Sequence, residues 1–228
     1  MKQWGLSGRK RVVLSLVGLS LVSCVFLLVQ MYSTESTTYW YLTWNLFLAW
    51  VPLILTGVLL RLLRKRLWSN WLPALVTFAW LIMLPNTFYM ISDFIHIKEL
   101  SHADLLFGVV MFTSFVFTAA LIGFSSLYMV HAELRRRLGS HLSHALVGII
   151  LLACSFAIYL GRDLRWNSWD ILINPAGILF DVSDRLIHPY GHPGIVTTTL
   201  SFFVLLGSLY VVGWQIGEAT RHSSEADA

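Results

Sequence analysis

The chain has 228 residues, of which 57% are hydrophobic and only 12% charged, and its mean hydropathy of +0.69 is too apolar for a domain that folds in water. Its formal charge of +4 arises from 16 Lys and Arg against 12 Asp and Glu, and these residues fall in short gaps between apolar runs. No basic helix face or basic patch interleaved with aromatics is present, so nucleic acid is excluded as a partner and the lipid bilayer is the expected solvent.

A hydrocarbon core of ~30 Å needs about 20 apolar residues at ~1.5 Å rise each. Six runs of that length lack Asp, Glu, Lys and Arg: 12–31, 39–60, 71–92, 105–130, 142–160 and 195–217. They predict an all-α, polytopic membrane helix bundle of six transmembrane helices forming one membrane domain over 1–228.

In the first run, Leu21-Val22-Ser23-Cys24 after a basic N-terminus resembles a lipoprotein signal. The run continues through Val25, Phe26, Leu27, Leu28 and Val29, as an uncleaved spanning helix does, so an uncleaved helix is expected. Cys24 and Cys154 both sit in apolar runs, where a thiol behaves as a small hydrophobe. The second run carries Asn45 roughly 9 Å below its Tyr39 end.

In the third run, Asn86 lies about 22 Å and Asp93 about 33 Å from Trp71. At ~100° per residue an α-helix puts Asn86, Tyr89, Asp93 and His96 within an arc of roughly 80°. Pro85 cannot donate to the Leu81 carbonyl, so a kink is expected there. The fourth run offers mainly hydroxyls such as Ser125 and Ser126, and the fifth holds His144, the one readily titratable side chain within the runs.

The fifth run leads into YLGRDLRWNSWDIL, residues 159–172. If this stretch is helical, Arg162, Arg165 and Trp169 share a face, two guanidinium forks beside an indole, suited to phosphate or carboxylate. Downstream, Asn174-Pro175 reads as an N-cap and first helical position. Ile178, Leu179, Val182, Leu186 and Ile187 recur at helical spacing opposite Asp181 and Asp184, which predicts a short interfacial helix over 175–188. Pro189, Gly191 and Pro193 then turn the chain towards the sixth run, with His188 and His192 in that turn.

Orientation follows from the basic residues, which cytoplasmic loops concentrate. Twelve lie in alternate gaps on one side, including Lys2, Arg9, Arg61, Arg64, Arg135 to Arg137 and Arg221, and four on the other: Lys98, Arg162, Arg165 and Arg185. Both termini are therefore expected in the cytoplasm, with eight of the twelve acidic residues outside. That topology brings Asn45, Asn86, Asp93 and the 162–170 segment to one outer layer.

WNLFLAWVPL (44–53), LPNTFYMISDFIHI (84–97), HADLLFG (102–108) and YLGRDLRWNSWDILINP (159–175), in this order, resemble the bacterial membrane-protein family known as domain of unknown function 1361. The resemblance implies a multi-pass protein of the bacterial cytoplasmic membrane and carries no activity with it. Asp163 departs from the family's apolar or aromatic residue before Leu-Arg-Trp, which argues against a role for Asp163 itself.

The candidate site residues are Asp93 and His96 for acid–base catalysis, or for a metal with His102, and Asn45, Asn86, Tyr89, Arg162, Arg165, Trp166, Asn167 and Asp170 for a ligand. For each there is a plainer reading: interhelical hydrogen bonds for Asn45 and Asn86, interfacial anchoring for Trp166, and ion pairing with Arg162 or Arg165 for Asp93. No nucleophile motif, Gly-rich phosphate loop or cysteine cluster occurs, so no cofactor is named, and neither metal dependence nor oligomeric state is fixed. Three classes of function stand: an outward-facing polar site that binds or processes an anionic envelope or lipid-linked molecule, a structural or assembly subunit, and a small-solute transporter.

Overall fold

The computed structural model describes residues 6–100, 105–188, 191 and 193–226, so His102, Asp104, Pro189 and His192 lie outside the described residues. The described residues form helices and no strand: α1 (Leu6–Thr34), α2 (Tyr41–Leu62), α3 (Trp71–Met83), α4 (Pro85–Tyr89), a 3₁₀ segment (Met90–Glu99), α5 (Leu105–Leu138), α6 (Ser140–Asp163), α7 (Asp170–Ile173), α8 (Pro175–Ile187) and α9 (Pro193–Ala226). Six helical stretches are long and apolar enough to cross a membrane: Gly8–Thr34, Tyr41–Leu62, Trp71–Glu99, Leu105–Leu138, Ser140–Asp163 and Gly194–Thr220. The chain divides into two compact units, Met1–Ser126 and Leu127–Ala228, with α5 continuing from the first into the second.

In the first unit, α2 packs on α3 and α4. With no water to solvate them, polar side chains in these helices tie to one another. Ser126 of α5 is the clearest junction: its Oγ lies 2.8 Å from Thr56 Oγ1 of α2 and accepts from Trp80 Nε1 of α3, also at 2.8 Å. All three residues are buried, so one of the hydroxyls noted in the fourth run joins three helices. Ser23 of α1 meets Thr118 of α5 at 3.2 Å, and Trp50 Nε1 of α2 donates to Ser20 of α1 at 3.2 Å.

The third span departs from a single kinked α-helix. Its α-helical hydrogen bonding stops at Met83, and the chain resumes as one short helical turn with Pro85 at its first position before tightening into 3₁₀ geometry at Met90. Two side chains at the break bond carbonyls of the preceding turn. Asn86 Nδ2 donates to the Met83 carbonyl at 3.0 Å, and Thr87 Oγ1 to the Leu84 carbonyl at 2.8 Å. Gly123 of α5 lets this broken segment approach, since a Cβ there would run into Thr87 Oγ1 and Cβ.

In the second unit, α6 packs along α9. Gly139, at φ +83°, ends α5 and starts α6 in one residue, a backbone conformation that glycine adopts freely. Asn174 caps α8 by accepting from the Gly177 N–H at 3.0 Å, with Pro175 in the first turn.

Replacing Gly123 with Ala is expected to push the α4 turn away from α5 and to lower stability by about 1–3 kcal/mol, read as a lower thermal unfolding temperature in detergent, whereas the same change at Gly57, which faces open space, is expected to be harmless.

Candidate functional site

In the first unit the polar residues gather where the third span has turned 3₁₀. Three residues per turn place side chains i and i+3 in line, about 6 Å apart along the axis. Asp93, His96 and Glu99 therefore form one row, a register that α-helical counting from Trp71 misses and that adds Glu99 to the candidates. Asp93 is buried to 1% exposure, and its Oδ2 accepts from Asn45 Nδ2 of α2 at 3.2 Å, so the structure brings these two candidate residues together. His96 Nδ1 lies 2.9 Å from Glu99 Oε1, and its ring meets the Tyr41 ring edge-on at 5.7 Å. The Tyr89 carbonyl accepts from Ser92 Oγ at 2.6 Å. Among the described residues, no three His, Cys, Asp or Glu side chains are grouped to hold a metal ion.

In the second unit the expected shared face of Arg162, Arg165 and Trp169 does not form. α6 ends at Asp163, and Arg165 takes the left-handed backbone conformation, φ 59°, which breaks the helical register between Arg162 and Trp169. The Trp166 N–H reaches back to the Leu160 carbonyl at 3.4 Å and closes the helix end. Left-handed geometry costs a residue with a Cβ about 1–2 kcal/mol relative to right-handed, so glycine or asparagine is the ordinary choice here. Arg165 is exposed, and no hydrogen bond or ion pair joins it to a described residue.

The neighbouring candidates are committed to the fold. Asp170 Oδ2 accepts from the Asn167 N–H at 2.7 Å and from Asn167 Nδ2 at 3.4 Å, while the Asp170 N–H donates to the Asn167 carbonyl at 3.0 Å. These bonds close a turn, Asn167 to Asp170, that leads into α7. Trp166 Nε1 donates to Asp181 Oδ2 of α8 at 2.7 Å, and Arg185 Nη1 reaches Asp181 Oδ1 at 3.2 Å. Trp166 is thus a strut between the α6 end and α8 rather than a bare interfacial anchor.

A second polar group in this unit escaped the sequence reading. His131 is fully buried; its Nδ1 lies 2.8 Å from Tyr210 Oη, its ring centroid 4.0 Å from Trp214, and its edge against His144 at 4.6 Å. Arg135 sits 5.6 Å over the Trp214 ring and donates to Glu218 Oε2 at 2.7 Å. Arg136 and Arg137 both bond Glu133 at 2.6 Å. The expected fourth span stopped at Val130, one residue short of His131, because the hydropathy signal fades there although α5 runs on to Leu138.

Together the helices and their internal polar ties define a polytopic integral membrane protein. The chain belongs to the family described as protein of unknown function (DUF1361), whose family model matches residues 44–211. No curated protein and no solved structure matches it.

The Asn45–Asp93 bond makes a measurable pair. Asn45→Ala and Asp93→Ala are each expected to destabilise the protein, and the double variant to lose less than the sum, with a coupling of about 0.5–2 kcal/mol in a detergent unfolding cycle. Additive losses would show that the two side chains act separately.

Proposed function

We propose that this is a protein of the bacterial cytoplasmic membrane with both termini in the cytoplasm, and that the α6–α7 junction of its second unit is an outward-facing site for the anionic group of an envelope or lipid-linked molecule. The supporting observation is Arg165: an exposed guanidinium without a partner among the described residues, carried by a backbone position that suits glycine better. Strain of this kind persists where something else favours the side chain, and a guanidinium fork matches phosphate and carboxylate. Arg162, in the last turn of α6, adds positive charge to this end of the helix, although it does not share a face with Arg165. In the first unit, Asp93 and His96 are proposed as an acid–base pair, supported by the burial of a carboxylate at the broken end of a spanning helix.

A structural or assembly role is the second reading. It is favoured by Asn86, Trp166, Asn167 and Asp170, all of which bond the chain's own backbone or side chains.

Arg165→Gly separates the two. Glycine relieves the left-handed backbone, so thermal unfolding in detergent is expected to hold or rise, by up to about 1 kcal/mol. Mass spectrometry of gently purified wild-type protein should show a co-purifying phosphate- or carboxylate-bearing molecule, and its level should drop at least tenfold in this variant. A variant that keeps the molecule overturns the anion site. Asp93→Asn and Arg165→Lys should leave abundance unchanged; if both lower it, the structural reading holds.

The topology has its own test. In a Cys24→Ser, Cys154→Ala background, a cysteine at Ser36 should react with a membrane-impermeant maleimide added to intact cells, and one at Arg66 only after lysis. The reverse pattern would invert the orientation.

A further inference from the structure

A groove of about 260 Å³ runs between α6 and α9 in the second unit. Its floor is buried, formed by Val147, Leu151, Tyr210 and Trp214, while His144, Val211 and Gln215 on its rim are exposed. Its length follows from helix geometry: from His144 to Leu151 on α6 is about 10 Å, and from Phe203 to Gln215 on α9 about 18 Å. It begins near the start of α6 and points along the helices into the apolar part of the spans.

Two glycines, Gly148 and Gly207, line it. Neither has a positive φ, and a Cβ at either would meet nothing within 4 Å. They are therefore not there for a turn or for close helix packing, unlike Gly217, whose Cβ would crowd Tyr128 at 3.2 Å. Each costs its helix about 1 kcal/mol relative to alanine. What their smallness does supply is the width of the groove.

In a bilayer such a groove does not stay empty, because an unfilled void forfeits dispersion contacts along its whole lining. Water is a poor filler for walls so nearly all apolar. The hydrocarbon chain of a neighbouring lipid has the matching shape and chemistry. At the mouth the lining turns polar. Gln215 presents an amide on a spanning helix, and no hydrogen bond joins it to a described residue. His144 gives its Nδ1 proton to the Ser140 carbonyl at 2.7 Å, which leaves Nε2 as an acceptor in the neutral ring. Arg135, over the Trp214 ring, brings a guanidinium to the same end; one of its N–H groups is given to Glu218 Oε2 at 2.7 Å, and its other N–H groups are the donors a phosphate can meet. A hydrocarbon chain, then ester carbonyls for an amide N–H, then a phosphate for a guanidinium is the order of groups in a glycerophospholipid.

We propose that the α6–α9 groove binds one glycerophospholipid of the leaflet at the α6 N-terminal end, its acyl chain lying over Gly148 and Gly207 and its ester region meeting Gln215. The site is separate from the α6–α7 junction and does not depend on the function proposed for it.

The test uses the full chain reconstituted into vesicles of phosphatidylethanolamine and phosphatidylglycerol, re-extracted in mild detergent and examined by native mass spectrometry. The wild type is expected to carry one phospholipid. Gly148→Leu with Gly207→Leu fills the groove and should reduce that adduct at least tenfold, with unfolding temperature unchanged or raised. The alanine pair should lie between, and Gln215→Leu, which leaves the width intact, should reduce retention several-fold. If the leucine pair fails to fold, the alanine pair and Gln215→Leu decide. A wild type without lipid, equal retention in the variants, or a protein dimer that these substitutions dissociate would each overturn the proposal.

Discussion

Hydrocarbon offers a polar group no partner, so a hydrogen-bonding atom within the spans is favoured where it finds one inside the chain. That preference organises each unit. Ser126 serves Thr56 and Trp80 together, so one hydroxyl joins α2, α3 and α5. At the break before Pro85, Asn86 and Thr87 turn back onto the Met83 and Leu84 carbonyls. Even the arginines that mark the end of α5 are paired, Arg135 with Glu218 and Arg136 and Arg137 with Glu133. Charge that looks in the sequence like a topological label is also part of the packing.

The spans were legible because their signal is a sum over about 20 residues, which no single substitution hides. The Asn174-Pro175 cap was legible because it is local, an acceptor side chain beside an amide donor three residues on. The site was harder to read for two definite reasons. Counting at 100° per residue presumes that the helix stays α-helical, and beyond Met90 it does not, so Asp93, His96 and Glu99 line up where α-helical angles spread them. Likewise, nothing in Gly161-Arg162-Asp163-Leu164-Arg165 announces a helix end, since the stop is made by a left-handed arginine and not by glycine. Asn45 with Asp93 was accessible in kind, as two polar residues at similar depth on neighbouring spans, but their bond needed the third dimension.

The polar residues singled out from the sequence fall into two groups once their partners are known. Asn86, Asn167, Asp170 and Trp166 spend their hydrogen-bonding atoms on a carbonyl, a turn or a neighbouring helix. They hold the frame. Asp93 and Arg165 differ, each in its own unit: one is a carboxylate withdrawn from solvent at the end of a spanning helix, the other an exposed cation on a strained backbone.

Backbone preference makes the same point at two places with opposite sign. At Arg165 a bulky residue stands where glycine is better suited, and at Gly148 and Gly207 glycine stands where alanine is better suited. Each mismatch costs on the order of 1 kcal/mol, offset at Arg165 only by the Trp166 N–H bond to the Leu160 carbonyl and at the two glycines by no contact of their own. In the first case what the substitution to glycine would remove is a guanidinium facing outward from a helix end; in the second, what alanine would remove is open volume against lipid. On the readings proposed above, both sequence choices serve something outside the chain, an anion at one end of α6 and a hydrocarbon chain near the other.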